Sequence, residues 1–137
     1  MNPHDITLIQ QSWSEVLPIS DTAAGLFYQR LFVLDPEVRP LFKGDMREQG
    51  QKLMNMLGLI VGSLSRLDEL VPAAQDLARK HVDYGVKPAH YDSVGAALLW
   101  TLEQGLGPKF TAEVKSAWRD AYGVLSQVMK DAAYPSA

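Results

Sequence analysis

The sequence predicts an all-α chain of about seven helices forming one domain over residues 1–137. Three observations carry this. Apolar residues recur at three- and four-residue spacing through most of the chain, the pattern of helices that each bury one face. No run alternates with period two, so no half-buried strand is indicated. Proline and glycine cut the chain at intervals suited to helices of ordinary length.

Ile6, Ile9, Trp13, Val16 and Leu17 share a face of the first helix, which Pro18 is expected to end. Thr7 with Gln10 forms a candidate capping box at its start, with Asp5 as the alternative cap. Ser20 or Asp21 then caps a second helix whose apolar face is Ala24, Phe27, Tyr28, Leu31 and Leu34. Asp35-Pro36 stops it, because a residue before proline is pushed out of the α region. A short helical turn follows from Pro36 to Phe42, with proline at a first helical position. After the loop Lys43-Gly44-Asp45, a helix carries Leu53, Leu57, Ile60, Val61 and Leu64. Beyond a polar break at Ser65-Arg66, another carries Leu70, Ala74, Leu77, Ala78 and His81, with Pro72 expected in its first turn. Gly85 ends that helix as a left-handed cap. Pro88 opens the next, with Tyr91, Val94, Leu98, Leu99 and Leu102 inward. Gly105-Leu106-Gly107-Pro108 separates it from the last and most regular helix, which runs through Val114, Ala117, Trp118, Ala121, Tyr122, Leu125, Val128 and Met129.

Composition narrows the function. Residues are 47% apolar and 21% charged, as in ordinary water-soluble domains. A net charge of −3 argues against nucleic-acid binding and gives no attraction to an anionic membrane surface. The chain has no cysteine, which excludes disulfides, zinc thiolates, iron–sulfur clusters and thiol nucleophiles. No stretch reaches the roughly 20 apolar residues of a membrane span. The segment Met1-Asn2-Pro3-His4-Asp5 lacks the basic and apolar parts of a secretory signal, so a cytoplasmic location is expected.

His81 interrupts an otherwise apolar face, one turn beyond Leu77 and Ala78. An imidazole there either meets a core hydrogen-bond partner, lies at a partly exposed helix end, or binds a metal. No other histidine, aspartate or glutamate stands at metal-cluster spacing, and the chain has no Glu-x-x-His pair. Zinc and di-iron carboxylate sites are therefore disfavoured. A single protein ligand suits iron already held by a porphyrin. The remaining histidines, His4 and His90, are read as exposed and receive no role.

Several runs resemble one family in order and at matching spacing. Arg79-Lys80-His81-Val82-Asp83-Tyr84-Gly85-Val86 with His90-Tyr91-Asp92-Ser93-Val94-Gly95 looks like the proximal region of bacterial globins. Phe27-Tyr28-Gln29-Arg30-Leu31-Phe32, Pro36-Glu37-Val38-Arg39-Pro40-Leu41-Phe42 and Gln49-Gly50-Gln51-Lys52-Leu53-Met54 resemble their distal side. Ala117-Trp118 and Ala121-Tyr122-Gly123 fit their last helix. The chain resembles single-domain bacterial globins, including the Hell's Gate type, and the haem domains of flavohaemoglobins.

That resemblance implies a three-over-three globin fold around haem b, with His81 as the proximal iron ligand through Nε2. Its Nδ1 would donate to a backbone carbonyl, most simply that of Leu77. Phe42 would pack flat on the porphyrin. Tyr28 and Gln49 would be distal donors to the bound diatomic molecule, with Leu53 walling that pocket. Gln49 does not readily ligate iron, so a five-coordinate ferrous state is expected. Leu53, Leu57, Leu77, Val86, Tyr91, Val94 and Leu98 would line the haem. Lys52 would reach a propionate, with Arg79 or Lys80 as alternatives. In isolation each of these is an ordinary core or surface residue. One position departs from flavohaemoglobins. Tyr91 matches the tyrosine that they link to the proximal histidine and to a glutamate, but the glutamate position falls on Ala133. A strong anionic push on the imidazole is therefore not expected.

The implied function is reversible binding of dioxygen, and of carbon monoxide and nitric oxide, for storage, transport or scavenging. The alternative is a nitric oxide dioxygenase. No Gly-x-Gly-x-x-Gly occurs and 137 residues leave no room for a flavin or nicotinamide domain. Turnover is thus expected to need an external reductase. A haem-free helical interaction module is the remaining possibility.

Overall fold

The structure, a computed structural model, describes residues 2–134. It contains six α-helices and four 3-10 segments among the described residues: α1 (Pro3–Val16), α2 (Ser20–Leu34), α3 (Met46–Gly62), α4 (Leu67–Asp83), α5 (Pro88–Leu106) and α6 (Ala112–Ala133). The fold is all-α, and no strand occurs among these residues. The short turn expected after Asp35 is a 3-10 helix, Pro36–Leu41, with proline at its start.

Boundaries set by proline and glycine are where the sequence puts them. Pro88 opens α5. Gly85 follows α4 with a φ of 94°, which a side chain would oppose. Side-chain caps differ. Asn2 caps α1 by accepting the Asp5 N–H at 2.8 Å. Thr7 instead donates to the Pro3 carbonyl, and Gln10 reaches across to that of Val61. Neither Ser20 nor Asp21 caps α2. The 3-10 segment Leu17–Ile19 leads directly into that helix, so backbone continuity replaces a cap. Pro72 lies past the first turn of α4, where it deprives the Asp68 carbonyl of its helical donor. Both residues are exposed, which limits the cost to an unburied carbonyl. Leu34 ends α2 exposed rather than in the core.

The helices pack as crossed pairs, α2 on α5 and α3, α1 on α6, and α4 on α6. Ala24 and Gly50 meet where α2 crosses α3, since a Cβ on Gly50 would stand 3.0 Å from that of Ala24. Gly95 admits α6 in the same way. A Cβ there would lie 2.7 Å from the Tyr122 ring. The apolar interior forms two clusters. The larger joins α1, α2, α3, α5 and α6 around Ile9, Leu31 and Leu102. The smaller gathers Ala74, Ala78, Tyr91 and Met129 between α4, α5 and α6.

Candidate functional site

His81 lies half-buried in the last turn of α4. Its Nδ1 donates to the Leu77 carbonyl at 2.8 Å, one helical turn back, as the resemblance implied. That bond assigns the ring proton to Nδ1 and leaves the Nε2 lone pair for another partner. Burial pushes the His81 pKa down, partly offset by the same carbonyl. The ring is therefore neutral and able to ligate at neutral pH.

Local structure holds this imidazole in place. The Val86 N–H donates to the His81 carbonyl at 2.9 Å across the Gly85 turn. Tyr134, just beyond α6, donates its hydroxyl to the Val86 carbonyl. Tyr122 on α6 donates to the Tyr91 carbonyl at the start of α5. Sequence reasoning gave neither tyrosine this bracing role. Gly95, which would otherwise carry a side chain into Tyr122, was the available signal.

Tyr28 is buried on α2 in an aromatic group. Its ring stands 5.3 Å from Phe42, edge to face, and 6.0 Å from Phe32, nearly stacked. Phe27 meets it edge-on at 5.0 Å. These contacts fix the phenol's direction. Burial raises the Tyr28 pKa, and the neighbouring Gln49 side chain partly offsets it. The phenol thus keeps its proton and remains a donor. Gln49, half-buried, lies in the first turn of α3. The turn is set by Asp45, which accepts the Arg47 N–H at 2.7 Å and, through its carbonyl, the Gln49 N–H at 3.0 Å.

The remaining expected lining residues divide between the two clusters. Phe42, Leu53, Leu57 and Val94 are half-buried against the larger, which includes the buried Leu98. Leu77 and Val86 are half-buried against the smaller, which includes the buried Tyr91. Lys52 is exposed on α3, and Arg79 is held 3.1 Å from Asp76. His4 is exposed beside Glu113. His90 is not exposed, contrary to the sequence reading. It is 6% exposed, and its Nδ1 accepts the Lys87 N–H at 3.0 Å, capping α5. A polar residue three places into a helix can turn back on the cap, which the sequence pattern alone did not distinguish from a solvent-facing histidine.

The haem that the resemblance implies can be tested against these residues. Two apolar clusters in one small domain, each edged by half-buried leucine and valine, suit a flat apolar body inserted between them. The helices on either side allow it, since α4 makes its main contact with α6 rather than with α3 or α5. The Tyr91 hydroxyl is buried without a hydrogen-bond partner among the described residues. The unengaged His81 Nε2 supplies one neutral nitrogen donor, the number a porphyrin-held iron needs from the protein. The donor set and the apolar lining both fit.

Comparison with known proteins agrees with this geometry. The Globin family model matches residues 25–129. A Xylella fastidiosa protein named Flavohemoprotein is 33% identical over 133 residues, covering 95% of this chain and 33% of that protein. A Rhodopirellula baltica Flavohemoprotein is 31% identical over 126 residues, covering 90% of this chain and 31% of that one. The chain therefore spans about a third of the length of these relatives. A bacterial globin from Campylobacter jejuni superposes with a TM-score of 0.83 at 26% identity, covering 96% of both chains. By fold and by sequence, the chain belongs to the globin family.

Proposed function

We propose that this chain is a single globin domain holding haem b through His81 and reversibly binding dioxygen, carbon monoxide or nitric oxide for storage, transport or scavenging. Globin family membership implies the haem cofactor. The observation that carries the rest is the 2.8 Å bond from His81 Nδ1 to the Leu77 carbonyl, which presets the ring with Nε2 free. Haem supplies the ferrous iron at which a diatomic molecule binds. The protein supplies the rest. His81 would be the iron ligand, Phe42 would pack on the porphyrin, and Leu53, Leu57, Leu77, Val86, Tyr91, Val94 and Leu98 would line it. Tyr28 and Gln49 would donate to the bound guest, with Leu53 excluding water. Exposed Lys52 pairs with a propionate.

Gln49 is a poor iron ligand, so this reading gives a five-coordinate ferrous state. The test is an absorption spectrum of the deoxygenated ferrous protein, with haem supplied during expression. The expected result is one haem per chain and a five-coordinate spectrum. A colourless protein overturns the reading. His81→Ala should lose or badly weaken haem while the fold persists. Full haem retention by that variant would refute His81 as the ligand.

A second reading follows from the two relatives named Flavohemoprotein. The same pocket suits nitric oxide dioxygenation, with electrons from an external reductase. Sustained turnover of nitric oxide with a cellular reductase would support it. One stoichiometric conversion would leave reversible binding. No helix among the described residues is long and apolar enough to cross a membrane. A cytoplasmic location belongs to the same proposal.

A further inference from the structure

We propose that the groove between α2 and α3, outside the wall that carries Tyr28, is a second ligand site that takes a flat aromatic carboxylate. It has a volume of about 610 Å³, within the range of small-molecule sites. Its apolar walls include Tyr28, Phe32 and Met46. Gly25 leaves it open, because a Cβ built there meets nothing within 4 Å. The Tyr28 and Phe32 rings lie 30° from parallel and give the groove an aromatic wall that a flat apolar body can pack along.

The polar features select an anion. Arg39 and Arg47 both line the groove. Neither has a carboxylate within 4.0 Å among the described residues, in a chain whose acids outnumber its bases by three. The Arg39 guanidinium sits over the Phe32 ring, 4.9 Å from its centroid. That contact holds a planar fork at the edge of the apolar wall, where it can receive a carboxylate through paired N–H donors. Asp21 also lines the groove. Its charge confines the anionic head to the arginines and leaves the apolar body for the aromatic wall. At the base, the close approach of Gly50 to Ala24 keeps the helices from parting, so the occupant must be thin. The site shares only Tyr28 with the proposed distal pocket, and its occupancy does not depend on iron chemistry.

The test is titration of the carbon monoxide-saturated ferrous protein with 2-naphthoate, followed by NMR. Carbon monoxide blocks the iron, so binding there cannot mimic binding in the groove. Saturable binding is expected, about tenfold or more tighter than that of neutral 2-naphthalenemethanol. The double variant Arg39→Ala/Arg47→Ala should weaken naphthoate by a similar factor. Gly25→Leu should abolish binding by filling the groove, at no cost in helix propensity. Equal affinity for the acid and the alcohol, or unchanged binding in either variant, overturns the proposal. Tighter binding of 2-naphthyl phosphate than of naphthoate overturns the carboxylate assignment.

Discussion

Removing one oxygen atom from the Tyr28 side chain should speed dioxygen release by one to two orders of magnitude. The variant is Tyr28→Phe. The ring keeps its contacts with Phe27, Phe32 and Phe42, so packing is preserved. What is lost is an O–H donor. Dioxygen in a ferrous haem site gathers partial negative charge, and a hydrogen bond to such an acceptor contributes about 1.5–3 kcal/mol. With tenfold per 1.4 kcal/mol, the release rate rises roughly 10- to 140-fold. Carbon monoxide gathers less charge, so its release should change far less and serves as an internal control. Burial raises the Tyr28 pKa, so the phenol stays protonated below pH 10. The wild-type rate should accordingly be flat across neutral pH. The assay is stopped-flow displacement of dioxygen by carbon monoxide, with Gln49→Leu and the double variant completing a cycle. Because Gln49 lies beside the Tyr28 hydroxyl, the two effects should be non-additive. An unaltered release rate, or equal acceleration for both gases, would refute the distal role of Tyr28.

Other consequences concern stability. Ser12→Ala leaves the buried Trp118 Nε1–H without its acceptor, now at 2.8 Å, and should cost about 1–3 kcal/mol in urea unfolding. Trp118→Phe in the Ser12→Ala background should show no further hydrogen-bond penalty, and equal effects of Ser12→Ala in both backgrounds would dismiss the bond. Gly95→Ala drives a methyl to 2.7 Å from Tyr122 and should destabilise by about 1–3 kcal/mol; Tyr122→Leu should relieve much of that. Burial raises the pKa values of Tyr28, Tyr91 and Tyr122. Their stabilisation is complete below the unfolded phenol value near pH 10 and falls as pH rises beyond it, because the unfolded chain then binds fewer protons. Thermal unfolding from pH 8 to 11.5 should show this decline, and Tyr91→Phe should reduce its slope. A flat profile in the wild-type protein would contradict the burial of these hydroxyls.

Local signals were legible in the sequence, and distant ones were not. Pro88 and Gly85 act on their own backbones, so their positions mark helix ends without tertiary help. The His81–Leu77 bond spans one helical turn, within the reach of local structure, and it was expected from the role that the family resemblance gives His81. The caps were harder, because Asn2, Asp5, Thr7, Ser20 and Asp21 are all competent cap residues and only the entering chain direction selects among them. His90 went astray for a related reason. Its polar side chain looks solvent-facing until it folds back onto the Lys87 N–H. The bracing bonds of Tyr122 and Tyr134 join residues 31 and 48 positions apart, beyond any helical period. The family resemblance supplied roles for Tyr28, Phe42 and Gln49 that residue pattern alone would have assigned to core or surface.

The surroundings of His81 bear on which chemistry the site favours. Its hydrogen-bond partner is the Leu77 carbonyl, a neutral acceptor. A neutral acceptor orients the ring without drawing off its Nδ1 proton, so an imidazole held this way would donate only modestly to an iron it ligated. A carboxylate would push harder, and flavohaemoglobin-like sequences supply one through a tyrosine. Here Tyr91 sits in an apolar cluster with Met129, and Ala133 packs against it where that glutamate would stand. The next residue, Tyr134, spends its hydroxyl on the Val86 carbonyl and so braces the turn after His81 instead of charging it. Burial also raises the Tyr91 pKa, which keeps its hydroxyl neutral. Cleaving an O–O bond needs electron density pushed through the proximal ligand. A site that fixes its imidazole firmly while leaving it uncharged would, on the proposed reading, favour taking up dioxygen and returning it intact.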